Sequence, residues 1–201
     1  MRVGSGGCLL DVISSEFNLL VPQGKLAECI TRLEDALRSL HPTPYHAILG
    51  RSFLHHTEAA ARYLADFHRR ASAGTQLKAI YFEMNGFSIN PKQWFCDGFA
   101  YASVGDIRDL DWLSDWDAET EEALVLEGMD TVQEAFGRLY TDHAQPLGVR
   151  LAGEIAEYLV IARFMELIAE AHNRAKREHP ELEGVLVLAT AHDWDIIHST
   201  Q

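Results

Sequence analysis

LAGEIAEYLVIARFMELIAEAHNRAKRE, residues 151–178, is a long stretch free of proline, and the fold is read outward from it. From Tyr158 to Ile168 it is apolar almost all round, broken only by Arg163 and Glu166. A helix with apolar residues on every face must be enclosed by other elements, so this one is expected at the centre of the molecule. Gly184 follows, and then Val185-Leu186-Val187-Leu188, a short unbroken apolar run of the kind found in interior strands.

Upstream, Leu26, Ile30, Leu33, Leu37 and Leu40 recur at alternating steps of four and three, one apolar face of a helix. Pro22 suits its start and His41-Pro42 its end. Thr57 caps a second helix that turns Ala60, Leu64, Phe67 and Ala71 inward. Leu77–Met84 and Trp94–Ala102 are β-branched and aromatic, and Asn85-Gly86 with Asn90-Pro91 supply turns between them, so an antiparallel hairpin is expected. Val125, Met129, Val132, Phe136 and Leu139 mark another helical face, weakened by Gly128 and Gly137, with Asp130 as a place to restart it. Residues 1–16 read as a frayed lead or an edge strand, and Phe17–Val21 and Tyr45–Leu49 as short strands. The expected fold is α+β: a single domain over 1–201, with a mixed sheet containing the hairpin at about 77–102, covered by four or five helices.

Composition narrows the function by exclusion. With 201 residues, 47% hydrophobic and 23% charged, the chain is neither disordered nor fibrous, and no apolar run approaches the ~20 residues of a membrane span. Thirty acidic against seventeen basic residues give a net charge of −13, which repels nucleic acid and anionic membranes and suits a basic protein partner. Cys8, Cys29 and Cys96 are an odd number without a CxxC pair, which points to a reducing cytoplasm. Ser5-Gly6-Gly7-Cys8 superficially resembles a lipoprotein cleavage site, but the seven residues before the cysteine hold no apolar stretch, so no export signal is expected.

Most of that charge is local. Residues 103–135 carry eleven acids and one base, Arg108. Within them lie Asp109, Asp111, Trp112, Asp115, Trp116 and Asp117, in a loop or short helix over 103–120. If helical, the segment stacks Trp112 over Trp116 and lines Asp111, Asp115 and Glu119 into a stripe. Two readings stand: the tryptophans anchor a solvated surface helix to the core, or they anchor a partner inside a rim of steering charge. A calcium loop fails because apolar residues fill its interior and the turn glycine is missing.

A second constellation is His192-Asp193-Trp194-Asp195-Ile196-Ile197-His198, just past the expected interior strand. Strand ends commonly carry active residues, yet near a chain end a solvated tail is the plainer reading. His55, His56 and Glu58 lack the HExxH spacing of a helical metal site. No GxSxG or phosphate-cradling glycine loop occurs, and Glu83 and Asp97 on the hairpin form a carboxylate pair only if the register allows it. The favoured expectation is a non-enzymatic acidic protein-binding domain, in concrete form a bacterial immunity-type inhibitor of a basic toxin. Asp109, Asp111, Trp112, Asp115, Trp116 and Asp117 would bind, with no cofactor and no metal. The alternative is a metal-assisted hydrolase using His192, Asp193 and Asp195, with His55, His56 and Glu58 in support; convergence of these residues on one pocket discriminates the two.

Overall fold

Ile80, Phe82 and Met84 alternate with Ala79, Tyr81 and Glu83 along β1 (Ala79–Asn85), and the two sets meet different surroundings. The first set joins a large core shared with the helices, and Ala79 and Tyr81 of the second join a smaller cluster with Tyr101 and Leu188 on the opposite face of the sheet. The computed structural model describes residues 5–87, 90, 92–106, 109–141 and 145–200, with the backbone alone at 5–8 and 139–141. The expected roles of Arg108, Pro91 and the side chains of Cys8 and Leu139 fall outside these described residues.

The chain runs α1 (Ser5–Leu20), α2 (Leu26–Arg38), α3 (Thr57–Ala71), β1, β2 (Trp94–Tyr101), β3 (Ala118–Glu119), β4 (Leu124–Leu126), α4 (Asp130–Thr141), α5 (Leu147–Glu178), β5 (Leu186–Ala191) and β6 (His198–Thr200). Strand order in the sheet is β3-β2-β1-β5-β6, with β4 also on β2. β1 and β2 form the expected antiparallel hairpin, while β1 and β5 run parallel. This is an α+β fold with a mixed sheet.

Thirty-two residues make α5 roughly 48 Å long at about 1.5 Å per residue. It packs against α2 and α3 as well as the sheet, so Leu159, Val160, Ile161 and Phe164 are wholly buried around its circumference, as its sequence requires. The polar interruptions have partners. Arg163 donates to Glu166 Oε2 and to Glu34 Oε1, both at 2.9 Å, and Gly50 N–H adds a bond to Glu34 at 3.0 Å. Burial alone would raise the Glu34 pKa, but the Gly50 amide, Arg38 and Arg163 outweigh it and hold the carboxyl below its ordinary range.

Several local expectations are corrected. Residues 5–20 form a helix, neither a frayed lead nor a strand; Ile13, Phe17 and Leu20 recur at helical spacing and are buried against the core. Phe17–Val21 is therefore the end of a helix and its turn. Pro44–Ile48 is a 3-10 turn in place of a strand, set by Pro44 at its first position and the reciprocal Thr43–His46 cap. The face read from Val125 is divided: Leu124–Leu126 pairs with β2, and left-handed Gly128 turns the chain before the helix begins at Asp130.

His172 on α5 is fully buried with Nδ1 3.3 Å from Thr200 Oγ1, and burial followed by Lys176 pushes its pKa down to about 4. The unfolded chain, with an ordinary histidine near 6.5, binds a proton over this window that the folded chain refuses. Stability present above pH 6.5 is therefore lost as pH falls toward 4, by up to about 3 kcal/mol from this group. Buried His198 and His68, also lowered by desolvation, act in the same direction. Denaturant midpoints at pH 7.5 and 4.5 check this, and His172→Leu is expected to flatten the difference.

Candidate functional site

The sheet face opposite the helices is covered by the acidic segment, and a cavity of about 560 Å³ opens between that segment and the turn after β5. Parallel pairing sets Met84 of β1 beside Ala191 of β5, so both strands end on the cavity. His192, one residue past β5, is fixed by its own N–H donating to Met84 O at 3.0 Å. Its side chain then reaches Glu83: Nδ1 lies 2.8 Å from Glu83 Oε1. Tyr81 OH donates to the other oxygen, Oε2, at 3.0 Å. Tyr81, Glu83 and His192 thus form one hydrogen-bonded line along the cavity wall.

The turn itself is constrained. Asp193 takes left-handed backbone geometry at φ 63°, which Asp tolerates better than most residues. Trp194 N–H closes the turn onto Ala191 O at 3.2 Å, and Thr190 Oγ1 donates to Ile196 O at 2.7 Å. Trp194 packs edge-on against Tyr158 and Phe17, with ring centres 4.7 and 5.7 Å away. β6 then pairs with β5 and buries His198. This packing corrects the tail reading for Trp194 and His198, whereas His192, Asp193 and Asp195 stay exposed, and the turn at Asp193 interrupts the single extended run.

The hairpin register sets Glu83 directly opposite Asp97, so the carboxylate pair noted in the sequence exists. Like charges in facing positions repel. Burial, then Glu83 and Glu119, raise the Asp97 pKa, while Asn85 Nδ2 donates to its Oδ2 at 3.3 Å. For His192 the hydrogen bond to Glu83 leads, Coulombic attraction of Glu83 and Asp193 adds, and the ring pKa rises above its ordinary value.

Asp109, Asp111, Trp112, Asp115, Trp116 and Asp117 do not form one helical stripe. A single 3-10 turn spans Leu110–Ser114, and Asp115 leaves helical geometry at φ −110° and ψ 62°. Short acidic side chains compete for local backbone donors, and Asp109 Oδ1 takes the Asp111 N–H at 3.3 Å while Asp117 Oδ2 takes that of Ala102 at 2.6 Å. The tryptophans consequently separate. Trp112 sits edge-on to Tyr101 at 4.9 Å between ring centres, with Nε1–H donating to Asp106 O at 3.2 Å. Trp116 packs on Phe99 at 5.1 Å and remains 46% exposed at the cavity mouth. Trp112 anchors the segment to the sheet, and the Trp116 ring stays half-exposed.

His192, Asp193 and Asp195 all line the same cavity. His55, His56 and Glu58 do not join them: they lie at the start of α3, where His56 Nε2 accepts from Glu127 N–H at 3.0 Å. Among the described residues no group of three or more His, Cys, Asp or Glu is placed to hold a metal ion, and no helix is long and apolar enough to cross a membrane. Sequence reasoning did not join Glu83 to His192, nor Tyr81 to either. Only the parallel β1–β5 pairing brings them together, and no local pattern announces it. No family model matches this chain, and neither a curated protein nor a solved structure matches it.

Proposed function

We propose that the chain is an acidic protein-binding domain for a basic partner, with Trp116 as the aromatic anchor and Asp111 and Asp115 as steering charge. The observation that carries this reading is the exposed ring of Trp116, held on Phe99 at the mouth of a cavity whose described lining residues include Glu83, Asp193 and Asp195 but no Lys or Arg. Half-exposed aromatic rings within a polar rim are favoured contact points, and rim charges raise association rates more than affinity. An immunity-type inhibitor that seats a basic toxin is the concrete form. Cys29 and Cys96 are buried free thiols, and burial pushes Cys29 up to about 12 and raises Cys96 as well, which keeps both in the unreactive thiol form. Free cysteines suit the reducing cytoplasm proposed for the chain.

Two substitutions separate steering from packing. Asp111→Asn with Asp115→Asn removes exposed charge at nearly constant shape. Stability is expected to stay within about 0.5 kcal/mol, since both side chains are exposed, while association with a nona-arginine probe slows and loses part of its salt dependence. Trp116→Ala is expected to cost only about 1–2 kcal/mol of stability, given its exposure, and to speed dissociation of the probe. Absence of probe binding at low salt, or binding indifferent to both variants, overturns the proposal. Stopped-flow mixing and thermal melts supply both readouts.

A further inference from the structure

We propose that the cavity beneath Trp116 is a hydrolytic site for neutral carboxylic esters bearing a flat apolar group, with His192 as general base and Glu83 and Tyr81 as positioning residues. The catalytic assignment stands on the hydrogen-bonded line Tyr81–Glu83–His192, and the acidic segment enters as one wall of the cavity through Trp116.

The geometry assigns the proton. A carboxylate oxygen at 2.8 Å from Nδ1 accepts a hydrogen bond, so the neutral ring carries its proton on Nδ1 and leaves the Nε2 lone pair for the substrate. Nε2 stands 3.6 Å from Asp193 Oδ1, too long for a hydrogen bond. Glu83 cannot swing away freely, since Tyr81 OH holds its second oxygen and its side chain is only 22% exposed. A base oriented by a carboxylate, at the ends of two adjacent parallel strands and facing a cavity of about 560 Å³, is the arrangement that general-base chemistry requires.

The lining selects the substrate. Tyr81, Phe99, Trp116 and Trp194 offer aromatic surface to a planar group. Among the described residues, the charged or titratable groups that line the cavity with His192 are Glu83 and Tyr81 from β1 and Asp193 and Asp195 from the turn after β5, while Asp97 of β2 stands on the far side of Glu83. No Lys or Arg is among the described lining residues, so phosphate and sulfate esters are repelled while uncharged esters are admitted. In the reaction, a water oxygen forms a bond to the acyl carbon as its proton passes to His192 Nε2. The tetrahedral adduct then collapses, the bond to the leaving oxygen breaks, and that oxygen takes the proton from Nε2. One water is consumed, one carboxylic acid and one alcohol or phenol are released, and nothing is oxidised or reduced.

The test uses the full chain with 4-methylumbelliferyl acetate and 4-methylumbelliferyl phosphate across pH 5–9. Saturable hydrolysis of the acetate, with little of the phosphate, is expected. His192→Gln is expected to lower kcat/KM by at least about 100-fold. Its side chain is 44% exposed, and a thermal melt confirms that the fold survives. Glu83→Gln is expected to lower kcat and move the pH midpoint of the acetate reaction toward acid, because the raised His192 pKa depends first on that carboxylate; Glu83→Asp should restore part of both. His179→Gln, which removes an imidazole 3.4 Å from Glu181 outside the cavity, is expected to change nothing. Hydrolysis that is linear in ester, or unaltered in His192→Gln, reduces the site to an ordinary surface imidazole and overturns the proposal. Comparable phosphate hydrolysis, or a Glu83→Gln variant with an unmoved midpoint, overturns it as well.

Discussion

Leu159→Ala is expected to lower the unfolding free energy by about 2–5 kcal/mol, and Phe164→Ala by about 3–5 kcal/mol. Both side chains are wholly buried on α5. Truncation there removes apolar area from the core and leaves a void whose walls belong to several elements at once. Helices, sheet and loops packed on a common axis cannot all relax inward together, so the void stays open and the cost lies toward the upper end. Urea titration with an unchanged m-value checks the result. A loss below 1 kcal/mol at both positions refutes the central placement of the helix.

Arg163→Met is the second large effect, expected to cost about 2–3 kcal/mol. Arg163 and Glu34 side chains are 13% and 11% exposed, and each is bonded to the other at 2.9 Å. Removing one member of such a pair leaves the other charge desolvated, a change that costs about 3–5 kcal/mol when nothing else compensates. Glu34 keeps Arg38 and the Gly50 amide, which places the expected value below that range. Adding Glu34→Gln to Arg163→Met should cost less than the two single losses combined, by about 1 kcal/mol or more, because the more buried of the two carboxylates that Arg163 pairs is then uncharged, Glu166 being the other. Chemical denaturation of the four proteins in the cycle measures the coupling.

The parts of this fold that could be read from its sequence are those governed by short-range periodicity. The α2 stripe from Leu26 to Leu37, the hairpin strands around Tyr81 and Phe99, and the all-round apolar character of α5 each follow from spacing within one element. Residues 5–20 were obscured by Gly6, Gly7, Ser14 and Ser15, whose weak helix propensity hides a sound apolar spacing at Ile13, Phe17 and Leu20; burial against the core overrides propensity there. The acidic segment failed in the opposite sense. Its spacing suits a helix, but Asp109 and Asp117 take backbone donors into other bonds, and Trp112 and Trp116 are drawn to successive outward rings on β2. Half of the candidate site was legible, since His192, Asp193 and Asp195 can be picked out by their place after an apolar run. The other half, Glu83 and Tyr81, depends on which strand lies beside β5, and adjacency of parallel strands leaves no mark in either strand alone.

The position of β5 has a consequence for how this molecule comes into being. β5 lies between β1 and β6 in the sheet, yet it leaves the ribosome after β1, β2, β3 and β4. Until it arrives, β1 offers an open edge of backbone donors and acceptors carrying Ile80, Phe82 and Met84, and the chain must wait through residues 86–185 for the strand that closes it. An apolar edge exposed for that long invites pairing between neighbouring nascent chains. Joining segments separated by about a hundred residues is also slow, because much chain entropy is lost before the contact repays it. A chain cut short before residue 186 therefore ends as an aggregation-prone half-sheet, so β5 has to be made before the sheet can close.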